Sequence, residues 1–304
     1  MEKLENRIRT MHFRYVKHDN IDFNLWDACI ESSTIGSIYA FSWYLNALCD
    51  HQWDAMVYGN YEAVFPLPTR SKFGLNYVYH PFFCQQLGLF HAKNKDFSLE
   101  DCIKAIPKKF VRVHLQLHAN SNGIACNRKR TNYILDLNPS AAELHKHFNK
   151  DALQNLKKCA DSAIEYRLSS NAELVIHLHK SQWGLLDTKV KDPDYQRFLR
   201  ACTEAQKRGL LLVYEAWKHE LLLGAGLFIQ SPKRLHYLVS GPTEEGRKVS
   251  IMHGIILHSI QSHAGKNILL DFEGSDIPGV AVFYKKWGAS PEIYCEYFKK
   301  YPWH

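Results

Sequence analysis

The chain has 304 residues, 46% of them apolar and 23% charged, and a formal net charge of +7. That length and balance suit a globular protein with two domain cores and exclude a disordered or low-complexity chain. The positive excess is mild: it favours an anionic ligand such as a nucleotide phosphate but lacks the density of a DNA-binding protein.

In the first half, residues 13–16 read as a strand, and 25–33 and 37–49 as helices. In the second helix Ile38, Phe41, Tyr44, Leu45 and Leu48 recur at helical spacing. Residues 53–58 and 61–67 flank Gly59-Asn60 and predict a hairpin. A third strand follows at 75–80, a helix at 99–109, an alternating strand at 111–117 and a last strand at 132–137. The second half repeats the order: strand 164–168, helices 180–186 and 194–208, and a hairpin of 210–217 and 221–229. Then come strand 235–240, helix 250–263, strand 268–272, a short helix carrying Tyr284 and a final strand 293–298. Pro139 marks the seam, and Ser140 and Glu143 have capping-box spacing. Leu144, Phe148, Ala152, Leu156 and Cys159 then form one apolar stripe, predicting a linker helix over 140–160. The expected domains are residues 1–138 and 139–304.

Eight cysteines include no C-x-x-C pair and mostly lie within apolar periodic runs. Buried free thiols are expected, with neither a disulfide framework nor a zinc site. Histidine spacings such as His145-x-His147 and His177-x-His179 lack a second ligand cluster, so no metal is expected. The charged start, with Glu2, Lys3, Glu5 and Arg7, is unlike a signal peptide. No run of about 18 apolar residues occurs, so no membrane span is expected and the cytoplasm is the expected location.

The tail carries the chemistry. A strand-like run, Ile268-Leu269-Leu270-Asp271-Phe272-Glu273-Gly274, leads to Phe283-Tyr284-Lys285-Lys286-Trp287-Gly288. Asp271 and Glu273, at i and i+2, share one strand face. This order resembles the end of an acyltransferase domain of the GNAT superfamily. The whole chain resembles the FemAB-like proteins, which carry two such domains in tandem. The resemblance implies an α/β (α+β) fold of two tandem GNAT-like domains, each a mixed, mostly antiparallel sheet flanked by helices, with the second catalytic. It also implies transfer of an acyl group from acyl-CoA or acetyl-CoA, as co-substrate, to a small-molecule or peptide amine. Tyr284 would protonate the departing thiolate and Glu273 would take the amine proton.

In this resemblance the donor-binding stretch is Val239, Ser240, Gly246, Arg247, Lys248, Val249 and Ser250, where backbone N–H groups and a helix start suit pyrophosphate. The superfamily's usual loop motif is absent, and Glu244 and Glu245 stand where a phosphate would arrive; a plain charged turn is the other reading. In the FemAB peptidoglycan enzymes a Lys occupies the place of Tyr284. Two alternatives therefore stay open. One is a FemAB-type aminoacyltransferase drawing on aminoacyl-tRNA and acting on a peptidoglycan precursor; tRNA is a partner only there. The other is a non-catalytic binding protein that retains the fold.

Overall fold

A computed structural model of the protein describes residues 12–93, 96–119, 121, 124–160, 163–183, 189–274 and 278–300. Its elements follow the expected order. β1 (Phe13–Val16) precedes α1 (Phe23–Ser32), a 3-10 turn (Ile38–Ala40) and α2 (Ser42–Cys49). The expected helix over 37–49 is thus broken. Phe41 adopts an extended ψ of 139° between the two pieces, and the Asp27 carboxylate accepts from both Ser42 N and Oγ. Then come β2 (Trp53–Tyr58), β3 (Ala63–Lys72), β4 (Leu75–Val78), the short β5 (Phe90–His91), α3 (Leu99–Lys104), β6 (Phe110–Leu117) and β7 (Arg128–Asp136).

The linker is two helices, α4 (Ala141–Lys146) and α5 (Lys150–Ala160), rather than one. Ser140 and Glu143 form the expected capping box. Asn149 interrupts the stripe: its side chain accepts from Ala152 N at 2.9 Å, and its own N–H goes to Lys286 O at 2.9 Å. A side chain that caps a new helix start competes with continuing the old one. The remaining elements are β8 (Glu165–Ser169), α6 (Ala172–Trp183), α7 (Asp192–Lys207), β9 (Leu211–Lys218), β10 (Leu221–Gln230), β11 (Arg234–Pro242), α8 (Glu244–Lys248), α9 (Ile251–His263), β12 (Leu269–Asp271), α10 (Pro278–Lys285) and β13 (Ser290–Lys300). Residues 184–186 of the expected 180–186 helix lie outside the described residues, and α6 begins eight residues earlier than expected.

The chain divides into two compact units, 1–130 with 293–304, and 131–292. They are not two consecutive halves. The first unit's strands run β1-β2-β3-β4-β6-β13, and the second's run β8-β9-β10-β11-β12-β7. Each order is a four-strand antiparallel meander, one parallel pair, then one antiparallel edge. β12 is buried, with Leu270 and Asp271 at 0% and 1% exposure, so its far edge needs a partner strand. β7 supplies it, pairing Leu269 with Asp136, Leu270 with Leu135 and Asp271 with Ile134. The result in each unit is a mixed, mostly antiparallel sheet flanked by helices, as expected.

In the second unit α9 lays Ile251, Ile255, Ile256 and Ile260 on the sheet, among Phe228, Leu235, Tyr237, Leu270 and Phe272. Two of the eight cysteines, Cys126 and Cys295, form a disulfide, which corrects the expectation of free thiols for that pair. They stand 169 residues apart and meet only because β13 lies against β6, so no local spacing announces them. The six others are free and buried. Among the described residues no helix is long and apolar enough to cross a membrane.

Candidate functional site

In the second unit β11 and β12 pair in parallel only through Arg234–Leu269, Leu235–Leu270 and His236–Asp271. Beyond that point they separate, for two local reasons. On β11 the register against β10 jumps from Val239–Leu227 to Tyr237–Phe228, leaving Leu238 as a bulge. A bulge bends its strand and re-aims the following residues. On the other side β12 stops after three residues, and Glu273 (φ 61°) and Gly274 (φ 44°) turn the chain away. A left-handed glutamate is an uncommon, strained conformation. It is held by its own N–H donating to Asp271 Oδ1 at 3.0 Å.

The separation opens a cleft of about 570 Å³. Its lining includes Tyr237 to Ser240 from β11, Glu273, and Val280, Phe283 and Tyr284 from α10. His179, Gln182 and Tyr195 come from α6 and α7, and Arg247 and Met252 from the α8–α9 end.

Tyr284 is 8% exposed, stacked on Phe272 with ring centroids 4.8 Å apart and packed near Tyr133. Its hydroxyl has no hydrogen-bond partner among the described residues. Burial raises its pKa well above the usual phenol range, and Tyr237, Glu273 and Asp271 add to the shift. A phenol so held stays protonated at neutral pH, able to donate a hydrogen bond to charge that develops in the cleft.

Glu273 is 14% exposed, and its Oε1 accepts from His236 Nδ1 at 3.1 Å. The same nitrogen lies 3.9 Å from Asp271 Oδ2, so both carboxylates face one imidazole, although Glu273 lies beyond the end of β12 in a left-handed turn, where strand alternation does not set its direction. Asp271 belongs to a buried network. Arg234 Nη1 donates to Asp271 Oδ2 at 2.7 Å and to Glu292 Oε2 at 3.0 Å, and its Nη2 donates to Glu292 Oε1 at 2.7 Å. Asn132 Nδ2 donates to Asp271 Oδ1 at 2.9 Å. Burial pushes the Asp271 carboxyl up, but Arg234 and the Glu273 N–H outweigh it and hold the pKa below its usual value. His236, Asp271 and Glu273 are of metal-ligand type and converge within 4.8 Å. The guanidinium already occupies Asp271 Oδ2, however, and Asn132 and the Glu273 N–H take Oδ1. The cluster is a compensated hydrogen-bond network, and a second cation would enter against Arg234.

Of the donor stretch, Val239, Ser240 and Arg247 line the cleft with Tyr284 and Glu273. Gly246, Lys248, Val249 and Ser250 are not among its lining residues. The expected loop is folded as α8, capped by Thr243, whose Oγ1 accepts from Gly246 N at 3.2 Å and donates to Leu223 O at 3.0 Å. Gly246 packs so closely on β10 that an added Cβ would lie 1.8 Å from Leu223 O. Thr243 N, Arg247 N and Ser250 N are bonded to Leu223 O, Thr243 O and Arg247 O. Lys248 is exposed and ion-paired to Glu245, Val249 O accepts from Cys159 Sγ, and Ser250 Oγ donates to Asn155 Oδ1. A pyrophosphate cradle needs several unpaired N–H groups. The N–H groups of Thr243, Gly246, Arg247 and Ser250 are engaged, two glutamates stand beside them, and of residues 243–250 only Arg247 lines the cleft, so the stretch fits a CoA pyrophosphate poorly.

Sequence reading missed Arg234, His236 and Tyr237, and weighed His179 only as half of a His-x-His spacing. The first two carry a signal: Arg and His alternate on a strand whose neighbours are apolar, and buried polar groups require partners. In sequence Asp271 and Glu273 alternate in the same way, though only Asp271 lies on the parallel neighbour β12. His179 has no such mark. Its Nδ1 is buried without a partner beside the cleft, and burial lowers its pKa, partly offset by the Ser240 main chain.

No family model and no curated protein matches the sequence. Solved structures do match. FemX is similar at 13% identity over 92% of this chain and 96% of that one, with a TM-score of 0.66. The chain shares the fold of FemX over nearly its whole length, the fold that the FemAB-like resemblance implies. L-PGS from Bacillus licheniformis matches at 12% identity, 92% and 91% coverage and a TM-score of 0.55. A conserved protein of unknown function from Bacteroides thetaiotaomicron matches at 11%, 94% and 99%, and 0.54.

Proposed function

We propose that the second unit of this tandem GNAT fold is a transferase that moves an acyl or aminoacyl group to an amine. The observation that carries this is the joint presence of Glu273 and Tyr284 in one cleft where two parallel strands separate. The amine proton passes to Glu273, and Tyr284 donates a hydrogen bond to the charge that leaves with the donor. With its raised pKa the phenol is a weak proton source for a thiolate of pKa about 8.5, so hydrogen-bond donation is the role that fits it. The cleft walls are mostly aromatic and aliphatic and strengthen such a bond by excluding water.

The acceptor is a small-molecule or peptide amine. An acyl-CoA donor remains within this reading, but the self-satisfied α8 gives its pyrophosphate little to bind. That same observation favours a second donor class, the aminoacyl ester of a tRNA, whose carbonyl needs the cleft and not the loop. Mixing the protein with acetyl-CoA or with aminoacyl-tRNA and an amine panel, and following label transfer, tests both. Transfer from either donor that disappears in Glu273→Gln supports the reading. A fold that binds amines yet transfers from neither donor points to a binding protein instead.

A further inference from the structure

The β3–β4 hairpin of the first unit turns through Phe73 and Gly74, with φ of 53° and 77°. Two successive positive φ values are the signature of a tight hairpin turn whose first central position suits Asn, Asp or Gly. A phenylalanine there is strained. Phe73 is also 91% exposed, so its ring gains no burial in return. Strain and exposure together point to a use outside the fold.

The sheet behind this tip is basic on one face. Val113, Leu115 and Leu117 of β6 point to the core, which sends Arg112 and His114 to the other side. In register, Arg70 pairs with Tyr77, Tyr77 with Arg112, and Arg112 with Lys300, a single row across β3, β4, β6 and β13. Lys72 lies two residues beyond Arg70 on the same face. The Arg112 guanidinium lies 4.8 Å from the Tyr77 ring centre, and that of Arg70 lies 4.1 Å from the Tyr79 ring. Stacking fixes these planar cations in place. Among the described residues none of Arg70, Lys72, Arg112 and Lys300 has a carboxylate partner. The acid on this face, Glu296, is taken by His114 at 2.9 Å and Arg130 at 3.5 Å.

We propose that this face of the first unit docks on an anionic phospholipid surface. Phe73 enters the acyl boundary, and Arg70, Lys72, Arg112 and Lys300 meet the headgroup phosphates. A single-stranded nucleic acid is the competing polyanion, and it needs bare rings on the binding face for its bases. The Tyr77 and Tyr79 rings are covered by guanidinium groups, and the exposed Phe73 ring, with the Lys72 ammonium 5.3 Å from its centre, stands at a protruding tip, where ring and cation together suit insertion beside a headgroup phosphate.

Co-sedimentation of the full chain with vesicles of phosphatidylglycerol and phosphatidylcholine in equal parts, against phosphatidylcholine alone, tests this. Binding is expected to the anionic vesicles only and to fall with salt. Phe73→Asn should weaken it roughly tenfold while raising the melting temperature, because Asn-Gly suits the turn. Arg70→Ala with Arg112→Ala should weaken it about 25-fold, at about fivefold per cation. Equal partition to both vesicle types, or wild-type binding by Phe73→Asn, overturns the proposal. So does a labelled single-stranded RNA whose binding the same variants weaken while vesicle binding is absent.

Discussion

The two units build the same junction and finish it differently. In the first, β4 and β6 pair in parallel up to Val78 and Val113, the counterpart of His236 and Asp271. Beyond it the edge of β6 is occupied. Leu87 N donates to Gln116 O at 2.7 Å, His118 N donates to Leu87 O at 2.8 Å, and Gln116 N donates to His80 Nδ1 at 3.2 Å. In the second unit no such segment fills the place among the described residues, and the Glu273–Gly274 turn leads the chain off instead. One topology thus yields a closed seam or a cleft, depending on whether a connecting loop is spent on the free strand edge. The catalytic reading attaches to the unit whose seam stays open.

The largest expected effect lies beneath the open seam. Arg234→Met leaves Asp271 and Glu292 buried without their cation and should destabilise the protein by about 3–5 kcal/mol, read from urea unfolding; a loss below about 1 kcal/mol would show the network to be dispensable. Next comes Glu273→Gln, which removes the proposed base and should lower the transfer rate by about 10²–10⁴-fold with the fold intact. A wild-type rate would take Glu273 out of the chemistry.

The closed seam has its own signature in pH. His80 must be neutral to accept from Gln116 N, and burial depresses its pKa to about 4. Its folded value lies below the unfolded one near 6.5, so its contribution is complete above about pH 6.5 and is lost as pH falls toward 4. That loss should reach about 3 kcal/mol. His80→Asn keeps an acceptor without the titration and should flatten the stability profile over that window; equal profiles would remove His80 from the closure. The smallest effect is expected at Lys248→Ala. Its exposed pair with Glu245 is worth about 0–1 kcal/mol, and donor affinity should stay unchanged. A marked loss of acetyl-CoA affinity would restore the loop as a phosphate site.

The order of elements was legible because apolar periodicity separates strands from helices along nearly the whole chain. The exchange of outer strands was not, since alternation in 128–136 and 290–300 says that each is a strand and not which sheet it joins. Tyr284 and Glu273 were named from their place in the tail, and the structure brings both to one cleft. Their setting depends on Arg234 and His236, which meet Asp271 and Glu273 only through the register of two strands 35 positions apart, as in the pairing of His236 with Asp271. α8 was hidden because Glu244-Glu245-Gly246-Arg247-Lys248 reads as a turn until Thr243 caps it against Leu223.

The most direct measurement is single-turnover transfer by Tyr284→Phe beside the wild type, with donor binding followed in the same samples. The ring stack on Phe272 survives this change, so the fold and the donor dissociation constant should be preserved. The rate should fall about 100-fold, as for loss of one donor to developing charge. An unchanged rate at unchanged affinity would show that the phenol in the open seam takes no part in the reaction.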